Sequence, residues 1–133
     1  KIIPFHKLSQ WLSYSIIETM LRSGYAVCDI EQLTGLAEYR NGGLFIDTGV
    51  LELKDEFIQT SYYVDSRTVI EWRALTVYLL DQVSKRVSNA IGKKLSLAKV
   101  LEGGTWHAGR KLAYERSSTG KPPINIKTDG TVF

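Results

Sequence analysis

A chain of 133 residues with 44% hydrophobic side chains can fill one core and is too short for two comfortable domains. Its net charge of +3 is spread along the sequence, with lysines and arginines interleaved with acids, so the basic stripe of a nucleic-acid binder is absent. No apolar run reaches the roughly 18 residues of a membrane helix, and no basic-then-apolar leader opens the chain. Cys28 stands alone, so no internal disulfide can form, and a reducing, cytoplasmic location is expected. The chain opens on Lys1 instead of methionine, which is expected of a processed product or a piece of a longer protein.

In residues 5–22, Phe5, Leu8, Leu12, Ile16 and Met20 fall at helical spacing and predict an apolar core stripe. Pro4 suits the start of that helix and Gly24 its stop. Lys7, Gln10 and Tyr14 share another face, readable as a solvated edge or as a polar row turned into a cleft. Residues 25–30 read as a short strand or an extended link. Residues 33–51 read as two short helical pieces broken near Asn41-Gly42-Gly43, because glycines there permit unusual backbone or close approach.

Residues 53–63 are ambiguous and read as partly irregular. Asp65 or Ser66 can cap a long helix that Gly92 ends near Ile91. Its predicted stripe is Val69, Trp72, Thr76, Leu79, Val83, Val87 and Ala90. Ser96 can cap a further helix over 97–102, which Gly103-Gly104 interrupts, and Thr105 can cap a continuation to about Arg116. Residues 117–123 form a polar Pro/Gly loop. The closing INIKTDGTVF alternates in character, and Asp129-Gly130 predicts a two-residue hairpin turn. The expected fold is mainly α, with a small C-terminal β-hairpin.

For chemistry, the histidines are only His6 and His107 and the thiol only Cys28, and none has metal-ligand spacing. Carboxylates are therefore the natural acid/base groups. Glu38 precedes Tyr39-Arg40 and a glycine pair, with apolar residues on both sides. Partial burial there would raise its pKa unless an arginine offset it. The competing reading is an ion pair with Arg40 or Arg73 that braces a helix end. Glu71 and Arg73 flank Trp72. They can face a cleft, or Glu71 can simply pair with Arg67 four residues earlier. In EGGTWH (residues 102–107), followed by Arg110, the glycines before a capped helix could leave amide groups free for an anion, or only kink the helix.

The segments PFHKLSQWLSYS (4–15), LTGLAEYRNGGLFIDTGVL (33–51), EWRALTVYLLD (71–81), LAKVLEGGTWHAGR (97–110) and PPINIKTDGTVF (122–133) resemble the uracil-catabolism family of fungi and bacteria. These uracil-regulated proteins were long labelled a domain of unknown function. The resemblance covers nearly the whole chain and implies a single domain over 1–133 that is the C-terminal portion of a longer protein.

Glu38-Tyr39-Arg40, Leu44 and Gly49-Val50-Leu51, with Glu71-x-Arg73 and Phe5, Lys7 and Gln10, also resemble the motifs of the queuosine-salvage nucleotide N-glycosylases, which have a helical fold. Two departures stand out: a glutamate replaces that family's aspartate, and Gly42-Gly43 replaces its Pro-Gln, so queuine-nucleotide activity is not carried over.

Together the resemblances imply a helical, glycosylase-like hydrolase that cleaves the N-glycosidic bond of a ribosylurea-type compound, phosphorylated or not. Glu38 would be catalytic. Lys7, Gln10, Tyr39, Arg40, Asp47, Glu71 and Arg73 would bind substrate. Gly103, Gly104, Thr105 and Arg110 would hold a phosphate. No metal or organic cofactor is implied, and no nucleic-acid or membrane partner. Protein partners left open are the absent N-terminal portion and a second copy. The alternative is a non-catalytic module that binds a uracil-derived metabolite or scaffolds the pathway. A third possibility, hydrolysis of the ureido group itself, would give ammonia or carbamate.

Overall fold

Residues 67–91 contain neither glycine nor proline, and they form the longest helix of the computed structural model, which describes residues 3–54, 56 and 60–133. In chain order the helices are α1 (Lys7–Arg22), α2 (Tyr39–Asp47), α3 (Arg67–Ile91), α4 (Leu97–Val100) and α5 (Trp106–Arg116). A 3₁₀ turn spans Ile30–Gln32, and a π-helical turn over Leu101–Thr105 joins α4 to α5. Strands β1 (Ser61–Tyr63) and β2 (Asn125–Lys127) are short. The fold is thus mainly helical with a small β element, as the sequence predicts. No helix among the described residues is long and apolar enough to cross a membrane.

Helix α3 begins and ends on the residues its sequence marks. The Ser66 hydroxyl accepts the Val69 N–H at 3.5 Å. Gly92, at φ +69°, closes the helix in the left-handed conformation that glycine adopts without strain. Its inner face carries Val69, Trp72, Arg73, Thr76 and Leu80. Leu80 packs with Leu36, Phe45 and Leu101, while Val69 and Trp72 pack with Ile124 and Phe133. Each such buried large apolar side chain contributes about 1.5–3 kcal/mol.

The glycines expected to break residues 33–51 lie inside one helix, α2. They are contact surfaces. A Cβ on Gly42 would stand 2.8 Å from Thr76 Oγ1 and 2.9 Å from Trp72 Nε1. The Trp72 indole N–H donates to the Gly42 carbonyl at 3.1 Å. On the opposite side, a Cβ on Gly109 of α5 would stand 2.0 Å from the Arg40 carbonyl oxygen. Packing at van der Waals contact on both sides outweighs the cost of glycine in a helix, which is about 1 kcal/mol per residue relative to alanine.

Gly103-Gly104 does not interrupt the next helix either; the chain widens there into the π turn and continues. Thr105 is therefore not a cap. It sits at φ −64° and ψ −37° within helical backbone, and its hydroxyl donates to Asn41 Oδ1 at 2.9 Å.

Asp129-Gly130 does turn the chain, but no hairpin forms. β2 pairs in parallel with β1, Ser61 opposite Asn125 and Tyr63 opposite Lys127. Gly130 takes φ +84°, and the Asp129 carboxylate accepts the Thr131 N–H at 2.9 Å. The returning limb goes to α1: the Lys7 and Leu8 N–H groups donate to the Val132 and Thr131 carbonyls, each at 3.3 Å. These are the orphan donors of a helix start, and the tail satisfies them. The reading of residues 53–63 as irregular lies partly outside the described residues; within it, Ser61–Tyr63 is the strand β1. Residues 25–29 form no regular element.

Helix α1 departs furthest from expectation. None of its residues is buried. The predicted core stripe points outward, with Leu12 62% exposed and Ile16 48%. The polar row faces the molecule. The Tyr14 hydroxyl donates to the Thr34 carbonyl at 2.7 Å, and Gln10 Nε2 donates to Thr34 Oγ1 at 2.5 Å and to the Gly35 carbonyl at 3.1 Å. Burial and the nearby charge of Asp81 push the Tyr14 hydroxyl up to about 12. Side-chain hydrogen bonds to the carbonyls of residues 34 and 35, rather than apolar periodicity, decide which face turns in.

Candidate functional site

Glu38 stands at the N-cap of α2 in extended backbone. Its Oε1 accepts the Asn41 N–H at 2.5 Å, and its Oε2 accepts the Arg40 N–H at 2.9 Å. The residue is only 6% exposed. Burial raises its pKa from the usual 4.5, against the lowering effect of the two amide donors and of the Lys7 and Arg40 charges. The sequence anticipates the burial and the raised pKa. It does not anticipate the capping role, because neither Arg40 nor Arg73 forms an ion pair with Glu38 among the described residues. Each carboxylate oxygen holds a second acceptor position, so capping leaves the group able to take a further hydrogen bond.

The inner face of α1 lies beside this carboxylate. Lys7 Nζ donates to the Phe133 carbonyl at 3.3 Å, and its charge reaches Glu38. Gln10 holds residues 34–35, which lead into Glu38. Arg73 enters from α3 and is fully buried. Its Nη2 donates to the Phe5 carbonyl and, at 3.2 Å, to the Val132 carbonyl. Lys7 and Arg73 thus both grip the C-terminal tail, and Phe133 packs edge-on against Trp72 with ring centres 4.8 Å apart.

This cluster holds most of the unmet polar demand of the interior. Among the described residues, Gln10 Oε1, Arg73 Nε and Arg73 Nη1 are buried without a hydrogen-bond partner, and Asp47 Oδ2 is the other such atom. Each would ordinarily cost about 1–3 kcal/mol. No described acidic side chain pairs with Arg73, and burial lowers its pKa. An acceptor supplied by a bound molecule would relieve that cost.

Other expected site residues lie apart. Glu71 turns outward and pairs with Arg67 at 2.7 Å, the surface alternative its spacing allows. The Arg40 guanidinium forms no ion pair with Glu38, though its charge reaches that carboxylate. It donates to the Gly120 carbonyl at 2.6 Å and lies 4.7 Å over the Tyr39 ring. Tyr39 itself packs against the Val69–Trp72 side of the core.

Asp47 ends α2, roughly 13 Å along the axis from Glu38 at 1.5 Å per residue. It pairs with Arg116 at 2.7 Å beside a shallow depression of about 560 Å³ walled by Ile46, Leu112 and Pro123.

Around the π turn, Thr105 is buried on Asn41, Gly103 faces open space, and the Arg110 guanidinium lies 5.5 Å over the Trp106 ring. The free amides expected of a helix start are not presented there, because the backbone is helical throughout.

Asn41, which the sequence suggests only as part of a helix break, belongs to the site. It is fully buried, donates to the Leu36 carbonyl at 3.2 Å and accepts from Thr105. It ties the Glu38 cap to the π turn. A helix-weakening asparagine within the first turn of an apolar helix was the available signal.

No solved structure matches this chain. A protein named urg3 from Schizosaccharomyces pombe is 50% identical over 99% of the chain, which covers 35% of that relative. "Uracil catabolism protein 4" from Lachancea kluyveri is 38% identical over 99% of the chain and 34% of its own length. The chain therefore spans about a third of the length of the curated relatives it matches. The family described as "Protein of unknown function (DUF1688)" matches residues 1–133, and this chain belongs to it.

Proposed function

We propose that this chain is part of a uracil-catabolic hydrolase that cleaves the N-glycosidic bond of a ribosylurea-type substrate, with Glu38 as the acid/base group. The observation that supports this reading most is the state of Glu38: buried, raised in pKa, fixed by two amide donors and flanked by the Lys7 ammonium. The name of the Lachancea kluyveri relative supplies the pathway.

In this reading water adds to ribose C1′ as the C1′–N bond breaks. Positive charge develops on the sugar, as in glycoside hydrolysis. The Glu38 carboxylate takes one proton of the water as its oxygen bonds to C1′, the departing urea nitrogen takes a proton from solvent, and Glu38 then returns its proton to solvent. The unpartnered Arg73 N–H groups and Gln10 Oε1 suit the carbonyl and N–H groups of a ureido compound. Of the expected phosphate ligands, the exposed Arg110 guanidinium is the group suited to meet a phosphate on the substrate.

The test is to incubate a full-length polypeptide carrying this segment with ribosylurea and with its 5′-phosphate, and to assay urea. Glu38→Gln is expected to lower the rate by about 10²–10⁴-fold, the usual contribution of a general base. Full activity in that variant would remove Glu38 from the chemistry, and release of ammonia in place of urea would move the reaction to the ureido group.

The second reading, a non-catalytic metabolite-binding module, is favoured by the engagement of both Glu38 oxygens as helix caps. Calorimetric binding of the same compounds without any product would establish it.

A further inference from the structure

Helix α1 is amphipathic in reverse. Its hydrogen-bonding residues Lys7, Gln10 and Tyr14 face the molecule, and each donates to a carbonyl there. Its apolar residues Leu8, Trp11, Leu12 and Ile16 face outward, between 46% and 62% exposed. The helix cannot roll to hide them without breaking those bonds and freeing the Thr131 and Val132 carbonyls from its first turn. A contiguous exposed apolar face of this kind marks an interaction surface.

We propose that the outer face of α1 is covered by the additional polypeptide that full-length members of this family carry. Two observations select this occupant. The first is length: the matched segment is 35% and 34% of the two relatives, so about two thirds of each lies outside it. The second is area. A helix of 16 residues is about 24 Å long, and one face of it offers on the order of a few hundred Å². A stable association between separate molecules uses about 800 Å² from each partner. A patch this small holds a cover belonging to the same chain, which does not lose translational freedom on docking. The chemistry of the cover follows from the face. It is an apolar, helix-compatible surface with no charge opposite Leu12 or Ile16, so that α1 becomes an interior helix between two layers.

The test uses a full-length family polypeptide carrying this segment with Cys28→Ser. Single cysteines are introduced by Leu12→Cys and Ile16→Cys, and maleimide labelling is read by peptide mass spectrometry. Both thiols are expected to react at least about 100-fold more slowly than in urea, because labelling then waits for a rare opening. The protection is expected to be unchanged on dilution. Labelling at the unfolded rate would overturn the proposal, and so would protection that disappears on dilution, which would assign the face to a second copy. Amide hydrogen exchange of residues 7–22 in the unsubstituted polypeptide gives the same reading without a mutation. Exchange there as fast as in exposed loops would also overturn it.

Discussion

Helices α3 and α1 carry apolar repeats of similar spacing and orient them oppositely. In α3, Val69, Trp72, Thr76 and Leu80 face inward, while Arg67, Glu71 and Tyr78 face water. In α1, Leu8, Leu12 and Ile16 face water, while Lys7, Gln10 and Tyr14 face the molecule. Periodicity therefore reports that a helix has an apolar face, and only its neighbours decide whether that face is covered within these residues. The Glu38 cluster sits where the two helices differ most: α3 supplies the buried Arg73, and α1 supplies Lys7 and Gln10 from its polar side.

Substitutions can break this contrast or sharpen it. The largest effect is expected at the α2–α5 crossing, which anchors the α3 side of the molecule. Gly109→Val would drive a side chain into the Arg40 carbonyl, and a loss beyond about 4 kcal/mol is expected, seen as the absence of a cooperative thermal transition by circular dichroism. Trp72→Ala should cost about 3–5 kcal/mol in urea unfolding. Gly42→Ala, wedged between Thr76 and Trp72, should cost about 1–3 kcal/mol by the same measurement. A Gly42→Ala protein with an unchanged urea midpoint would mean that α2 and α3 are not in the close contact described.

Glu38 gives a pH-dependent effect. Its folded pKa lies above the usual 4.5, so the folded state binds more protons than the unfolded state between those two values. Its contribution to stability is fully present below 4.5 and is lost as pH rises through the folded pKa. Urea midpoints measured across that window should fall with pH, and Glu38→Gln should flatten the slope. An unchanged slope in the variant would assign the dependence elsewhere.

The smallest effect is expected on the outer face of α1. Leu12→Ala in the 133-residue chain should change stability by less than about 0.5 kcal/mol. In a polypeptide that covers α1, the same substitution should cost about 2–5 kcal/mol, the range for buried leucine. Equal small effects in both would leave the face uncovered in each.

The limits of α3 were legible in the sequence because Ser66 and Gly92 act through their own backbone and side chain, within a turn of where they stand. Glu38 was legible as a buried carboxylate for a similar local reason. What failed was read from residues whose partners are distant in sequence. Gly42 looked like a breaker because the aromatic ring it admits belongs to another helix. Asp129-Gly130 looked like a hairpin because the competing donors, the N–H groups of the first turn of α1, lie more than a hundred residues away. Asp47 and Glu71 were grouped with Glu38 by their place in a motif, whereas the helices carry them to another end and another face. The outward stripe of α1 was readable as apolar, but nothing in its spacing names what lies against it.

The π turn over Leu101–Thr105 has a consequence for how this chain can change in length. It holds one residue more than an α turn would, and each residue of an α-helix advances the azimuth by about 100°. A π turn closes residue i on i+5 where an α turn closes i on i+4, so losing its extra residue and closing to regular α geometry would leave Trp106–Arg116 in the same phase, with Gly109 still against the Arg40 carbonyl. Loss of a residue from the regular stretch between Trp106 and Gly109 would instead rotate everything after it by about 100° and bring a residue bearing a side chain against that carbonyl. Gly103 has open space around it, so a change of identity is also cheap there. The turn is thus a store of one spare residue: it tolerates a change of identity and the loss of one residue, where the helix that follows it tolerates neither at Gly109.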